Sequence, residues 1–333
     1  MPVKVEFMDS KFNNLILDLY SHAQTESVAD FPNLAMKKMN DSIRFDSAGS
    51  VLFHAENTGK VLMTGVLTFN VMPDKVKIRK ECIEEEKFDI QRGFISRDPL
   101  LTKCMNKLNS AELMRAYDVS DKDFRDYAHR TNSANSLSYV TRESDYTYKT
   151  FSLWRAHKKA VFNTSDLNAA NLMIPHIFQA LSINRKLSEN FFLSKEKASG
   201  FLISEQNGSI HYISDDAIFL LRREYPNWLS HQLPNEVISG FRASESKTYI
   251  GSQIVMNLKM QGSLMMIAIQ PRSPGSKLTT AELRVVEKIV QYVTYKEAAR
   301  QLGVSPATIR NQLHAIYKKL GIKGKSELAK VID

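Results

Sequence analysis

The sequence predicts an α+β body followed by an all-α module of four helices, and three observations support that division. Runs rich in β-branched and aromatic residues, separated by Asn-Gly and Gln-Gly turns, alternate with helical stretches through the first 270 residues. Residues 278–333 instead place apolar side chains at helical spacing, punctuated by capping residues and glycines. The charge divides at the same place. Of a net +9, six units lie from Gly275 onward, where eleven lysines and arginines face five carboxylates. Such asymmetry suggests one segment that meets a polyanion and a larger body that does not.

In chain order, 12–22 reads as a helix with Leu15, Ile16 and Leu19 inward, and a second helix follows near 28–39. Strand-like runs at 47–54 and 61–71 flank a turn at Asn57, Thr58 and Gly59. Helical stretches near 99–108 and 121–129 precede two strands, 136–142 and 146–154, that form an antiparallel pair through 143–145. A long helix then spans 166–195, with Leu167, Ala170, Ile174, Ile177, Leu181 and Leu187 on one face. Pro175 inside it predicts a kink or a shorter helix beginning there. Strands 200–204 and 209–213 flank Asn207-Gly208, a hairpin signal. Ser214, Asp215 and Asp216 offer caps for a helix at 217–223. A second hairpin pairs 249–258 with 264–269 through Gln261-Gly262. The domain division that follows is 10–192, 198–270, a linker at 271–277, and 278–333.

With 333 residues, 43% apolar and 24% charged, the chain is long enough for two or three ordinary soluble domains. It contains no apolar run near the roughly 18 residues that span a bilayer. Its first residues lack the apolar core of a secretion signal. Cys82 and Cys104 are too few for a disulfide framework and suit a reducing cytoplasm.

The C-terminal module can be argued helix by helix. Thr280 is the expected cap of the first, whose inward positions are Leu283, Val286, Ile289, Val290 and Val293. Thr294 and Glu297 have the spacing of a capping box, and Leu302-Gly303 stops the short second helix. Ser305 caps the third, with Pro306 at its first position and Ile309, Leu313, Ile316 and Leu320 inward; Gly321 ends it. A fourth helix covers 326–332. A short helix, a turn at Gly303-Val304 and a longer helix make a helix-turn-helix, whose second member enters the DNA major groove. Arg310, Asn311 and His314 share an exposed face; Arg pairs bidentately with guanine and Asn with adenine. Lys318, Lys319 and Lys296 suit the phosphate backbone.

At these residues the module resembles the LuxR-type (GerE-like) helix-turn-helix. The matching elements are Leu278-Thr279-x-x-Glu282, Lys296-Glu297-x-Ala299, Leu302-x-Val304-Ser305, Thr308-Ile309-Arg310 and Ile316-x-x-Lys319-Leu320. The resemblance implies DNA contact by Thr308, Arg310, Asn311 and His314. With Ser305 at the helix head and the three lysines, the candidate DNA-binding set is Lys296, Ser305, Thr308, Arg310, Asn311, His314, Lys318 and Lys319. Tyr292, Tyr295 and Gln312 depart from the common pattern, which bears on the target sequence rather than the fold.

Strands followed by a long exit helix resemble the sensory portion that precedes such modules. The segment 10–192 is loosely similar to a GAF domain, and 198–270 to a small PAS domain. Both folds hold small molecules between a sheet and its covering helices. Phe53, Phe69, Tyr139, Phe151 and Trp154 lie in strands, where an aromatic is more often core than pocket. Trp154 and Arg155 are the candidate ligand-binding residues, because an Arg at a strand end can clamp an acid. No acyl-homoserine-lactone domain is resembled. Histidines without close same-face spacing argue against a metal, no cofactor is expected, and GxGxxG, P-loop, G-x-S-x-G and HExxH signatures are missing. The expectation is a cytoplasmic, dimeric, non-enzymatic transcription regulator that binds double-stranded DNA. Helix 166–192 and the C-terminal helix would be its self-association surfaces, an unknown small molecule or protein its signal, and RNA polymerase a further candidate partner. The alternative is a ligand-binding or protein-docking module whose C-terminal bundle recruits protein.

Overall fold

The computed structural model describes residues 6–55, 59–83, 86–89, 93–96, 98–196, 198–228, 231–272, 278–291, 294–325 and 327–328. Contacts divide the chain into two compact units, Met1–Tyr249 with Met256–Ile269, and Ile250–Val255 with Gln270–Asp333.

Two helices, α1 Glu6–Thr25 and α2 Phe31–Ser42, precede the antiparallel strands β1 Ser47–Ala55 and β2 Val61–Phe69. Residues 57 and 58 of the expected turn lie outside the described residues; Gly59 has φ +80°. Helix α3 Pro73–Ile83 leads to a small separate hairpin, β3 Lys87–Asp89 with β4 Gly93–Ile95. Helix α4 Pro99–Met105 starts at Asp98, whose Oδ1 accepts the Leu100 and Leu101 amides at 2.8 and 3.3 Å. After β5 Ala111–Arg115, Asp121 caps α5 Lys122–Arg130 in the same way. Both carboxylates satisfy amides that a helix start leaves without intrahelical partners.

Strands β6 Asn135–Arg142 and β7 Thr147–Arg155 pair antiparallel as the sequence predicts. The chain then enters α6 Thr164–Glu196, started by Asn163 and Asp166, each accepting the other's backbone N–H at 3.0 and 2.9 Å. Pro175 does not begin a shorter helix; α6 runs through it. Buried Ala170, Met173 and Ile174 before the proline, and Ile177, Phe178 and Leu181 after it, pack in one core, and that burial outweighs the lost hydrogen bond.

Strands β8 Gly200–Glu205 and β9 Ile210–Ile213 turn at Gly208, whose φ of +90° only glycine adopts without strain. Ser214 caps α7 Asp215–Glu224, and α8 Asn235–Ala243 follows. The run expected as one strand is broken into β10 Thr248–Ile250 and β11 Ile254–Gln261, because the Gly251 amide turns back to the Ile254 carbonyl at 2.9 Å. Strand β11 turns at Gly262, φ +58°, into β12 Leu264–Pro271.

One sheet runs β10-β11-β12-β8-β9-β2-β1-β7-β6-β5, and β9 joins β2 at the single pairing Gly65–Tyr212. Its β6–β7 part has two unlike faces, because alternate residues of a strand point to opposite sides. Leu137, Tyr139, Phe151 and Leu153 enter the main core with residues of α1, α2 and α6. Their neighbours Ser136, Ser138, Ser152 and Trp154 form the opposite face. Nearby on that side, Phe53, Met63, Val140 and Tyr148 pack with Leu100, Leu101 and Cys104 of α4. Cys104 is buried, which pushes its thiol up to about 12 and makes it inert.

The second unit contains α9 Thr280–Gln291, α10 Tyr295–Leu302 and α11 Pro306–Leu320. Helix α9 is capped one residue earlier than expected. Thr279, not Thr280, forms the box: its Oγ1 accepts the Glu282 amide at 3.2 Å and Glu282 Oε2 accepts its amide at 2.6 Å. Val286 and Ile289 are buried as expected, but Val290 is 43% exposed and Val285 takes an inward place. The Leu283 side chain, Val293, the linker 273–277 and most of the expected fourth helix lie outside the described residues. Leu278, Val286, Ile309, Leu313, Ile316 and Leu328 meet in one small core.

Candidate nucleic-acid interface and ligand cavity

The boundaries of α10 and α11 are set by contacts within the local sequence. Glu297 accepts the Thr294 amide and Thr294 Oγ1 accepts the Glu297 amide, both at 3.3 Å. Helix α10 ends at Gly303, φ +67°, where the Val304 amide reaches back to the Ala299 carbonyl at 3.0 Å. Ser305 Oγ then accepts the Thr308 amide at 3.1 Å and lies 2.8 Å from the Thr308 hydroxyl, with Pro306 at the helix start. Gly321, φ +69°, ends α11, and the Ile322 amide bonds to Tyr317. A left-handed glycine after each helix satisfies its last carbonyls.

Ile309, Leu313 and Ile316 bury one side of α11, which turns Thr308, Arg310, Asn311, His314, Lys318 and Lys319 outward. Arg310, His314 and Lys318 stand one above the next at four-residue spacing, with Asn311 beside them. Lys296 is exposed in the first turn of α10, and Ser305 is exposed at the head of α11. One of these residues has a partner that the sequence did not reveal. Lys319 Nζ sits 3.0 and 2.9 Å from the two oxygens of Glu282, tying α11 to α9. The Thr279 amide and then Lys319 hold the Glu282 carboxyl below its ordinary range.

Of the five strand aromatics, Trp154 borders a cavity. Phe53 and Phe69 are in cores or ring pairs, and Tyr139 and Phe151 pack on Phe178, at ring distances of 6.2 and 5.8 Å. The cavity, about 100 Å³, lies against the serine face of β6 and β7, with residues of α3, α4 and α5 around it. Arg155 does not line it. Its guanidinium donates to the Arg44 and Val161 carbonyls at 2.7 and 2.8 Å and to Asp166 at 3.1 Å, and covers the Phe162 ring. Arg155 therefore fastens β7 to the start of α6; it is not placed to clamp a ligand in the cavity.

Sequence reasoning missed Lys75 altogether. This residue lies in the first turn of α3, only 5% exposed, with Nζ donating to Ser133 Oγ and lying 3.1 Å from the centre of the Trp154 ring. Gly49 makes room for that ring, since a Cβ there would come within 3.0 Å of it. Burial pushes Lys75 down to about 6, against the opposite pull of Asp98.

Residues 276–332 match the family described as bacterial regulatory proteins, luxR family. The spore germination protein GerE of Bacillus subtilis is 44% identical over 50 residues, 15% of this chain and 68% of that protein. The response regulator UvrY of Escherichia coli is 30% identical over 99 residues; the chain spans 43% of its length, using 28% of its own. Among solved structures, Escherichia coli SdiA aligns over 97% of this chain and 96% of its own at 11% identity, with a TM-score of 0.41. Through its C-terminal helices, the chain belongs to the luxR family of bacterial regulatory proteins.

Proposed function

We propose that this DNA-binding regulator reads a specific duplex sequence as a homodimer, under the control of a signal received by its N-terminal body. The outward row of Arg310, Asn311, His314 and Lys318 on the capped helix α11 is the observation that supports base reading. Arg310 and Asn311 supply bidentate base contacts, with Thr308 and His314 beside them. Lys296, Ser305, Lys318 and Lys319 supply phosphate contacts around that row. In this reading, 10–192 is a GAF-like sensory domain, 198–270 a small PAS-like one and 271–277 the linker to 278–333. The signal is a small molecule or a protein, and the cavity beside Trp154 is where a small molecule would bind. The body performs no catalysis. Pairing of two chains would use α6 and the C-terminal residues 326–332, with RNA polymerase the further partner at a promoter. Such a protein works in the cytoplasm; no helix among the described residues is long and apolar enough to cross a membrane.

Selection of duplexes by the full-length protein from a random-sequence pool tests this reading. A recovered two-fold repeated motif, bound with an affinity that falls steeply as salt rises, is the expected result. Recovery of no common motif, or binding insensitive to salt, would remove sequence-specific DNA reading from the account.

A further inference from the structure

The cavity beside Trp154 contains a buried lysine that its own residues do not pair. Lys75 Nζ has a hydroxyl and an aromatic ring as neighbours, and among the described residues no carboxylate forms an ion pair with it. Its place in the first turn of α3 is also unfavourable, because a helix N-terminus repels a cation and favours an anion. The other ionisable groups on the wall are Asp98 and Tyr127; Asp98, which caps α4, pulls on Lys75 electrostatically but forms no ion pair with it. A second polar group is unspent. Ser136 lies directly across from Trp154 in the β6–β7 register and lines the cavity, yet among the described residues its hydroxyl has no hydrogen-bond partner. The remaining wall is largely apolar, including Leu100, Leu101, Phe124 and Met114.

We propose that this cavity is the site of a short-chain carboxylate, its charge paired with the Lys75 ammonium and bonded by the Ser136 hydroxyl, its hydrocarbon tail against Leu100, Leu101 and Phe124. This assignment rests on reading the N-terminal body as the sensing part. The cavity volume of about 100 Å³ is below the roughly 150 Å³ that accommodates benzene, so the ligand has at most about six heavy atoms. A carboxylate supplies the direct ion pair that a protonated Lys75 lacks, whereas a neutral ligand would not. Lys75, unprotonated at neutral pH in the empty site, takes up a proton as the anion enters.

Calorimetric titration of the full-length protein with butyrate and butyramide, in two buffers of different ionisation heat, tests the assignment without DNA. Saturable one-to-one binding of butyrate is expected, at least tenfold tighter than butyramide, with close to one proton taken up at pH 7.5. Lys75→Met should weaken butyrate at least tenfold and abolish the proton uptake, and Ser136→Ala should weaken it about threefold. Equal affinities for acid and amide, no saturation by about 10 mM butyrate, or full affinity in a folded Lys75→Met protein would overturn the proposal. If that variant does not fold, the acid–amide pair and Ser136→Ala decide the matter. Sequence-specific DNA binding that persists while butyrate binding fails would sink this ligand assignment and leave the regulator reading standing.

Discussion

The C-terminal helices and the sheet around the Lys75 cavity are put together by contacts of opposite range. In α10 and α11 every bond that sets a boundary joins residues three to five apart: Thr294 to Glu297, Ala299 to Val304, Ser305 to Thr308. Around the cavity the deciding contacts cross the chain. Lys75 reaches Ser133 over 58 positions, and Arg155 reaches Arg44 over 111. On the other face of the sheet, Asn184 donates to the Ala23 and Glu26 carbonyls at 3.0 and 2.8 Å. A locally specified helix can keep its shape while exposed side chains are changed. A wall built from distant strands and helices depends on the whole body, so small changes in its core have larger consequences.

The largest effect is expected where the body is most crowded. Phe151→Ala should cost about 3–5 kcal/mol in denaturant unfolding, because the ring is fully buried and packs edge-on against Phe178. A loss comparable to that of an exposed residue would mean the body is not organised around this core. Lys75→Met should stabilise the protein at neutral pH by an amount on the order of a few kcal/mol. The sign follows from proton binding. Between about 6 and the ordinary lysine value of 10.5 the unfolded chain holds the extra proton, so native stability rises with pH there. The variant's advantage should therefore be greatest below about pH 6 and fade toward pH 10, as urea midpoints across that range would show.

In the C-terminal helices, Arg310→Ala removes the leading candidate base contact. A loss of about 1–3 kcal/mol in duplex binding, with relaxed preference at one base pair and an unchanged melting profile, is expected. An unaltered selected motif would exclude Arg310 as a base reader. Thr294→Ala should cost about 1 kcal/mol of stability, the ordinary value of a lost helix cap. The smallest effect should separate two adjacent lysines. Lys318→Ala lowers the salt slope of DNA binding by about one unit, and Lys319→Ala by less, since Lys319 is paired with Glu282.

How legible each part was follows from the range of its contacts. Thr294, Glu297, Gly303, Ser305 and Gly321 have the predicted roles because each acts on backbone within one helical turn. Even the misplaced cap had a local sign: the Thr279-x-x-Glu282 spacing selects Thr279, and the neighbouring Thr280 obscured it. Helix α3 gave no sign, since its sequence is mostly charged and shows no apolar stripe; nor did the short strand β5. Helix α8 contains Gly240 and starts without a side-chain cap, two local features that argue against a helix, yet Val237, Ile238 and Phe241 bury it. Trp154 borders the cavity, but Arg155 beside it points its chemistry at Asp166 and two carbonyls.

What the sequence alone determined is everything that period, punctuation and charge can encode: the helix pair, its outward row of polar residues, and the α+β character of the body. The tertiary structure decided which buried groups meet. A lysine in a polar stretch reads as a solvated side chain, because burial is not a property of its neighbours in sequence. The packing of α3 against Ser133 and Trp154 takes Lys75 out of water, and desolvation without an ion pair among the described residues is what turns it into a candidate binding group.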